Sequence, residues 1–402
     1  MTTSTRPPVA PAAERRTVVG HAIERAARMP RSIPVLVTLA LIWAVFYSQS
    51  PFYLSFGNLT NLTLQIVTTA ILSLGVVFVL LVGEIDLSSA ALSGVCAAVA
   101  GTVVVTHGLP LAVGIATAVV LGMVVTFVEA QVIIFGVPSL IVTLGGMVIL
   151  QGLLLVVLPE EFTISIAGTP LASLALTAVP AGASFALAAV GALAFAGYRT
   201  LLHRERTSTG SGGSVLRSVA APSVAAAVGL FAVVFVLSRQ RGLPLPVLIL
   251  AGMLLVAWYW TTQTRYGTHL YAVGGDREAA QRAGIPVRRM VMYSFLVLGA
   301  CAAVAGMVDS SRQLGVSATS GAGPLMLNAI AAAVVGGTSL FGGRGSVWSA
   351  LLGSLVIGSI SNGVQLLGLS TEVQFFATGV VLVLAVAVDV VLSRGSLLPG
   401  RR

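Results

Sequence analysis

Long apolar runs follow one another along the chain from about residue 33 to residue 392, and short polar segments separate them. Each run is long enough to cross about 30 Å of hydrocarbon as an α-helix of about 20 residues. The runs are continuous and lack the alternation of a membrane-barrel strand, so they predict helices. The pattern places about twelve spans at residues 33–50, 60–82, 87–106, 110–134, 139–158, 170–197, 218–238, 244–262, 290–308, 323–341, 346–366 and 371–392.

The composition agrees with a membrane location. Hydrophobic residues make up 56% of the chain and charged residues 9%, and the mean hydropathy is +1.00. Ordinary soluble domains do not reach these values. We therefore predict an all-α, polytopic transmembrane helical bundle. Its membrane domain, residues 33–393, would lie between polar tails at residues 1–32 and 394–402.

The arginine positions predict which loops face the cytoplasm, because cytoplasmic loops carry an excess of positive charge. If the N-terminus is cytoplasmic, 19 of the 22 arginines fall in the tails or inner loops, and Arg239, Arg241 and Arg312 fall outside. Both termini are therefore predicted to be cytoplasmic, together with a basic loop at 199–217 and a loop at 263–289. The net charge of +9 then follows from topology rather than from nucleic-acid binding.

The chain contains no lysine, since all 22 of its Lys and Arg positions are arginine. A phosphate-binding P-loop needs a lysine on the β- and γ-phosphates, so the chain is not expected to hydrolyse ATP by that route. Its four histidines are scattered without metal-ligand spacing. Cys96 and Cys301 fall inside predicted spans, which argues against a disulfide. We expect this chain to bind no cofactor and no metal, and to carry no catalytic residues.

Two glycine-rich segments, 82–88 and 336–346, interrupt the apolar pattern. Alignment of residues 83–94 with residues 342–353 matches four of twelve positions, which include the glycines at both ends. The matches indicate a weak internal repeat of a helical hairpin. Span counting gives both hairpins the same direction across the membrane, so the repeat would be parallel.

Glu84 and Asp86 lie in the first glycine-rich segment, at the end of an apolar span. Ionised carboxylates in such a place need water, backbone donors or a cation, and Arg344 in the matching segment is the candidate partner. Two interpretations stay open. The carboxylates contact a transported solute, or they cap the helix that begins near Leu87.

Other polar residues lie inside or beside the predicted spans and are candidates for a solute pathway. Their amide and hydroxyl groups would hydrogen-bond a neutral solute while it crosses, although the same groups also join helices to one another. Beside Glu84, Asp86 and Arg344, the candidate pathway or gating residues are Gln151, Asn328, Thr338 and Asn362, and further polar positions within spans are Glu129 and Gln365.

The loop at 263–289 contains a short helix-forming segment. Asp276 is placed to cap this helix and Gly284 to stop it. The small Ala279 and Ala280 leave one face of the helix flat, which suits contact with another protein surface. The alternative is a solvated helix held at the lipid headgroups.

Five ordered blocks resemble the permeases of ribose/xylose-type bacterial ABC sugar importers. The blocks are GEIDLS at 83–88, VPSLIVTLGG at 137–146, GGDREAAQRAGI within 264–289, GGTSLFGGRGS within 329–346, and NGV at 362–364. The xylose-type branch is most similar, because residues 170–238 supply a pair of spans that ribose-type members lack. Residues 89–91 and Glu129 depart from the family pattern.

The resemblance implies a transport subunit rather than an enzyme. In such an importer two permease copies, a homodimer, form the pathway for a monosaccharide, here a xylose-like pentose or related sugar. Cytoplasmic ABC ATPase subunits, which use ATP and Mg²⁺, drive it, and a periplasmic or lipid-anchored binding protein delivers the sugar. The location implied is the bacterial cytoplasmic (inner) membrane. The residues expected to couple to the ATPase are Asp276, Glu278, Ala279, Ala280, Gly284, Ile285 and Arg288.

Two other functions stay open. An ion-coupled secondary transporter would also be polytopic and lack a P-loop, but it needs carboxylates deep in the bilayer, and Glu129 is the clear example in this chain. An ABC permease for a nucleoside or another small polar solute would suit the same sequence.

Overall fold

The structure, a computed structural model, describes residues 32–209 and 214–395. The predicted tails at 1–32 and 394–402 therefore lie almost wholly outside the described residues. The described part consists of α-helices joined by short loops and by four very short strands. It agrees with the predicted all-α class.

The helices are numbered in chain order. They are α1 Ser32–Gln49, α2 Phe56–Leu81, α3 Ser89–Gly101, α4 Leu111–Ile134, α5 Ser139–Val157, α6 Ser173–Leu176, α7 Ala181–Ser208, α8 Ala221–Ser238, α9 Leu245–Gln263, α10 Arg265–Gly275, α11 Arg277–Arg282, α12 Val287–Gln313, α13 Pro324–Val335, α14 Trp348–Leu366 and α15 Thr371–Gly395. The strands are β1 Thr163–Ser165, β2 Ala178–Val179, β3 Leu243–Pro244 and β4 Gly315–Ser317.

Within the described residues, nine helices are long and apolar enough to cross a membrane: α2, α3 with its extension Thr102–Thr106, α4, α5, α7, α8 with the turn Leu216–Ala220 before it, α9, α12 and α14. Shorter apolar helices occupy the other three predicted spans, namely Pro34–Gln49 within α1, Pro324–Val335 and Glu372–Leu384 within α15. Each predicted span thus coincides with an apolar helix, although only nine of these helices reach the length of a full crossing.

The span predicted at 323–341 is interrupted. Helix α13 ends at Val335, and Gly337 then adopts a left-handed φ of 109°. Residues 336–347 form an irregular segment before α14 begins. The apolar run therefore forms a half-length helix and a loop rather than one continuous crossing.

The span predicted at 170–197 also differs from the structure. Helix α7 begins after Pro180, whose ring suits a helix start, and it continues to Ser208. Residues 170–180 form α6, β2 and turns instead. The first part of the predicted basic loop at 199–217 is therefore helical.

Long-range loop contacts define two opposite faces of the bundle. On one face β1 pairs with β4 and β2 pairs with β3, both antiparallel. On the other face the segments 83–88, 265–289 and 336–347 contact one another. The predicted alternation of spans groups the same segments together, except for β2, which lies inside the span predicted at 170–197. The second face is the one that the arginine distribution assigns to the cytoplasm.

Helices α2, α3, α12 and α14 form the centre of the bundle, and α7 and α8 lie at its edge. In α2, 83% of an apolar 18-residue window is buried, against 11% in α7. Small residues allow the central packing: a side chain at Gly122 of α4 would meet the carbonyl of Gly299 in α12, and the reverse also holds. The apolar side chains of the outer helices are exposed and can contact lipid or a partner protein.

Candidate functional site

The segment 263–289, which we term the coupling segment, forms α10 and α11 on the face assigned to the cytoplasm. The Asp276 carboxylate accepts a hydrogen bond from the Ala279 backbone N–H at 2.9 Å, so it caps α11. Gly284, at a left-handed φ of 81°, donates its N–H to the Gln281 carbonyl and ends the helix. The short helix and both of its predicted end signals are confirmed.

The seven residues expected to couple to an ATPase divide between two sides of this segment. Five of them are exposed: Asp276, Glu278, Ala279, Gly284 and Arg288. Ala280 is buried and Ile285 packs against the hydrophobic core. The exposed residues offer a contact surface, and the two apolar residues anchor the segment to the bundle.

The Glu84 carboxylate ties the coupling segment to the first glycine-rich break. Arg277 Nη1 donates to Glu84 Oε1 at 2.6 Å, and the Glu84 side chain is 9% exposed whereas that of Arg277 is 50% exposed. The partner is therefore Arg277 and not the expected Arg344. Arg344 is exposed and, among the described residues, forms no ion pair with Glu84 or Asp86.

Sequence reasoning missed Arg277 although a signal for it existed. A carboxylate buried at a membrane face needs a cation, and Arg277 lies on the same predicted side as Glu84, next to the cap of α11. The pairing was not predicted because the two residues are 193 positions apart in the chain.

Two glycine-containing turns, at 82–83 and 341–343, meet the C-terminal end of α10. The Gly343 N–H donates to the Leu81 carbonyl at 3.1 Å. A side chain at Gly274 would collide with both of these backbone atoms, and one at Gly342 would meet Gly83. We call this meeting point the glycine junction. It connects the coupling segment to both hairpins through backbone rather than through flexible side chains.

Tyr271 adds a side-chain contact to the glycine junction. Its hydroxyl donates to the Gly345 carbonyl at 3.2 Å. Burial raises the pKa of the Tyr271 phenol, so the hydroxyl keeps its proton and remains a donor near neutral pH. Gly83 and Gly342, which occupy equivalent positions in the predicted hairpin repeat, lie against each other here.

Asp86 caps α3 at the first break. Its Oδ2 accepts from the Ser89 N–H at 2.9 Å, and its Oδ1 accepts from the Ser88 N–H at 3.2 Å and from the Ser88 hydroxyl at 2.6 Å. Asp86 is 1% exposed. This geometry favours the capping interpretation of the two that the sequence left open.

We expect Asp86→Ala to lower the stability of the protein by about 1–3 kcal/mol, because it leaves buried donors at the start of α3 without an acceptor. Asp86→Asn keeps one acceptor and should cost less. Thermal unfolding of the purified protein, followed by loss of its monodisperse chromatographic peak, measures both. Asp86→Asn that retains full stability and loses transport would instead support a pathway role.

Glu129, on α4, lies close to this cap. The Ser88 hydroxyl is 3.1 Å from Glu129 Oε2 as well as 2.6 Å from Asp86 Oδ1. A hydroxyl has a single proton, so both contacts are hydrogen bonds only when one of the two carboxyl groups is protonated. Glu129 is 6% exposed and is the more weakly bonded of the two, with an unpaired Oε1. Asp86 and Glu129 thus share the Ser88 hydroxyl at the start of α3.

Comparison of the sequence with known proteins identifies the family to which the chain belongs. Residues 58–386 match the model of a family described as the permease component of the branched-chain amino acid transport system. The chain is 34% identical to the xylose transport system permease protein XylH of Escherichia coli (strain K12), over 91% of this chain and 94% of that protein. The chain belongs to the xylose/ribose-type sugar ABC permeases. Family membership argues against the ion-coupled secondary transporter.

Two further relatives of the permease cover nearly the same length. The ribose import permease protein RbsC of Escherichia coli (strain K12) is 30% identical over 88% of this chain and 92% of that protein. The D-allose transport system permease protein AlsC of the same strain is 28% identical over 89% and 90%. No solved structure matches the permease.

The other candidate pathway residues of the permease do not form one cluster. Asn362 is buried and accepts a hydrogen bond from Asn58 Nδ2 at 2.8 Å, which joins α14 to α2. Thr338 is buried beside Gly345, and Gln151 is exposed on α5. Asn328 lines a polar cavity near the opposite face. Within residues 32–209 and 214–395, no group of three or more His, Cys, Asp or Glu side chains could hold a metal ion.

Proposed function

We propose that this protein is the permease subunit of an ATP-driven importer of a monosaccharide, with a xylose-like pentose as its first candidate cargo. The coupling segment carries this proposal: a capped, exposed helix is fixed to both hairpins in a chain that has no lysine for a P-loop. The energy then comes from separate ATPase subunits that bind ATP and Mg²⁺. The permease itself binds neither.

The exposed face of α11 docks on the ATPase. Glu278 and Arg282 form an i,i+4 ion pair at 3.0 Å, and both side chains are more than three-quarters exposed. Beside them Ala279 is exposed and small, so a partner surface can approach the helix closely. The buried Ala280 holds the helix against the bundle, so force applied to α11 moves the bundle as well.

The glycine junction transmits that movement. Nucleotide-driven closure of two ATPases pushes two coupling segments, one in each permease of a homodimer. The push passes through Arg277 to Glu84 and through the backbone contact of Gly343 with Leu81. These contacts lie at the inner ends of α2 and α14, so the hairpins tilt and access switches from one side of the membrane to the other.

The opposite face receives the sugar. There the segments around β1, β4 and the short helix α6 are hydrogen-bonded together, and the Ser311 hydroxyl donates to the Ala172 carbonyl at 2.9 Å. A rigid outer rim suits docking of an extracytoplasmic binding protein. In this arrangement the permease lies in the bacterial cytoplasmic membrane, with both termini inside.

Reconstitution tests the proposal as a whole. The permease, purified with the ABC ATPase and the sugar-binding protein of the same importer, is placed in proteoliposomes, and uptake of radiolabelled D-xylose, D-ribose and D-allose is measured. We expect uptake of at least one sugar that needs ATP and the binding protein. Uptake that requires an ion gradient and no ATP would overturn the proposal.

Glu278→Arg combined with Ala279→Arg should abolish co-purification of the ATPase, because both changes place bulky cations on the exposed docking face. The control is Glu205→Arg, which changes an exposed carboxylate near the end of α7 in the same way as Glu278→Arg but away from the coupling segment. Association of the double variant at the wild-type level would refute the assignment of α11 as the docking helix.

A further inference from the structure

A polar cavity of about 240 Å³ lies near the strand-bearing face. Its walls come from α2, α12, α13, α14 and the start of α15, and residues 317–324 lie across one end. The arginine distribution makes this the outer face. The cavity thus lies where a solute released by an outer partner would enter the bundle.

Helical spacing brings polar side chains into this cavity. Gln65, Thr68 and Thr69 share one face of α2, and Ser361 and Gln365 share one face of α14. Residues three or four positions apart are neighbours on a helix surface. Polar residues inside an apolar bundle are costly and usually functional, so two such faces turned toward one space point to a ligand.

Three buried oxygen atoms that belong to cavity-lining residues have no hydrogen-bond partner among the residues that the structure describes: Gln65 Oε1, Thr68 Oγ1 and Asn328 Oδ1. Most buried polar groups in proteins are paired. Thr68 is 3% exposed, and its hydroxyl lacks the bond to a carbonyl four residues earlier that Thr63 makes to Leu59 on the same helix. These cavity-lining residues therefore keep unused hydrogen-bonding capacity.

Neighbouring amide donors are already engaged. Gln65 Nε2 donates to Gln365 Oε1 at 3.1 Å, and Gln374 Nε2 donates to Ser361 Oγ at 3.0 Å. Each of these amide groups keeps a second N–H, and the unpaired oxygens keep acceptor capacity, so the lining offers both donors and acceptors. A polyhydroxylated molecule suits such a lining, because each of its hydroxyl groups can both donate and accept.

The charged residues of the cavity neutralise each other. Arg312 Nη2 lies 3.2 Å from Asp309 Oδ1, and Gln313 Nε2 donates to Asp309 Oδ2 at 2.5 Å. The lining therefore presents no unpaired charge to a ligand. A neutral ligand suits this lining better than an anion or a cation, whose charge would lose its hydration without compensation.

We propose that this cavity binds one neutral sugar ring on its way through the permease, with Thr68 and Asn328 accepting hydrogen bonds from its hydroxyl groups. The cavity is smaller than the range of about 300–1,000 Å³ typical of drug-sized ligands, which favours a single ring over a larger solute. The assignment rests on the proposed function and adds to it that the permease, and not the binding protein alone, holds and selects the cargo.

Variants that keep side-chain shape and remove the acceptors test this site in the reconstituted importer. Thr68→Val and Asn328→Leu should each lower ATP-driven D-xylose uptake about tenfold, through loss of hydrogen bonds to the sugar. ATP hydrolysis stimulated by the binding protein should stay unchanged, because the docking surfaces are untouched. Thr63→Val, a matched change at a hydroxyl already bonded within α2, should leave uptake unchanged.

Thr68→Ser, which keeps the hydroxyl, should retain uptake. Full uptake by Thr68→Val, or equal loss in Thr68→Ser and Thr68→Val, would overturn the role of this hydroxyl and leave the proposed function standing. If wild-type protein takes up none of D-xylose, D-ribose and D-allose, the proposed function fails, and the sugar assignment of the cavity fails with it.

Discussion

Gly274→Ala should sharply reduce the yield and thermal stability of folded permease, whereas the same change at the neighbouring Gly275 should be tolerated. A Cβ at Gly274 would collide with the Leu81 carbonyl and the Gly343 backbone nitrogen, and neither atom is a side-chain end that can rotate away. Overpacking in a close-packed interior lowers the free energy of unfolding by about 1–3 kcal/mol and occasionally more. We expect a loss near the upper end of this range for Gly274→Ala, because the atoms on both sides are backbone atoms.

Membrane yield and thermal unfolding of the purified protein measure the effect, and Gly275→Ala is the control. A Cβ at Gly275 meets nothing within 4 Å, so the two variants differ in close contact while they share the same helix end and the same added methyl group. A melting temperature of Gly274→Ala equal to that of the wild type would show that the glycine junction is looser than described.

Arg277→Glu should abolish ATP-driven uptake while the ATPase remains bound. The change places a second carboxylate against the buried Glu84 and breaks the link beneath the docking face. The cost in stability is about 1–3 kcal/mol, less than for a fully buried pair because the Arg277 side chain is half exposed to screening water. The variant should therefore still insert into the membrane. Its loss of uptake should come from failure to couple the ATPase to the permease.

The charge-swapped pair, Glu84→Arg with Arg277→Glu, should recover part of the uptake, since it restores opposite charges across the same contact. Arg265→Glu, an exposed residue of the same segment, is the control for net charge. Co-purification of the ATPase and uptake in proteoliposomes are measured together. Uptake at the wild-type level by Arg277→Glu would exclude this ion pair from force transmission.

The Ser88 hydroxyl links the first hairpin to α4, because it lies within hydrogen-bond distance of both Asp86 and Glu129. From the sequence, Glu129 stood out as a carboxylate within a predicted span and as a departure from the family pattern. Its position beside the cap required the packing of α4 against α3.

Features that depend on residues close together in the chain could be predicted from the sequence. Apolar length predicted a helix at each span. The side chain of Asp276 and the left-handed Gly284 defined α11, because capping acts within one helical turn. The arginine distribution predicted which face of the bundle is cytoplasmic. The absence of lysine predicted that the chain does not hydrolyse ATP by a P-loop. All of these properties can be taken from one stretch of chain at a time.

Contacts between residues that are distant in the chain became known from the folded structure. The partner of Glu84 is Arg277, the span at 323–341 breaks at Gly337, and two turns converge on Gly274 of α10. The polar faces that enclose the outer cavity also come from separate helices. Spacing along a helix predicts which residues share a face, but it does not predict which other helix packs against that face. The neighbouring helix is determined by close packing of the whole bundle, in which small residues allow backbones to approach one another.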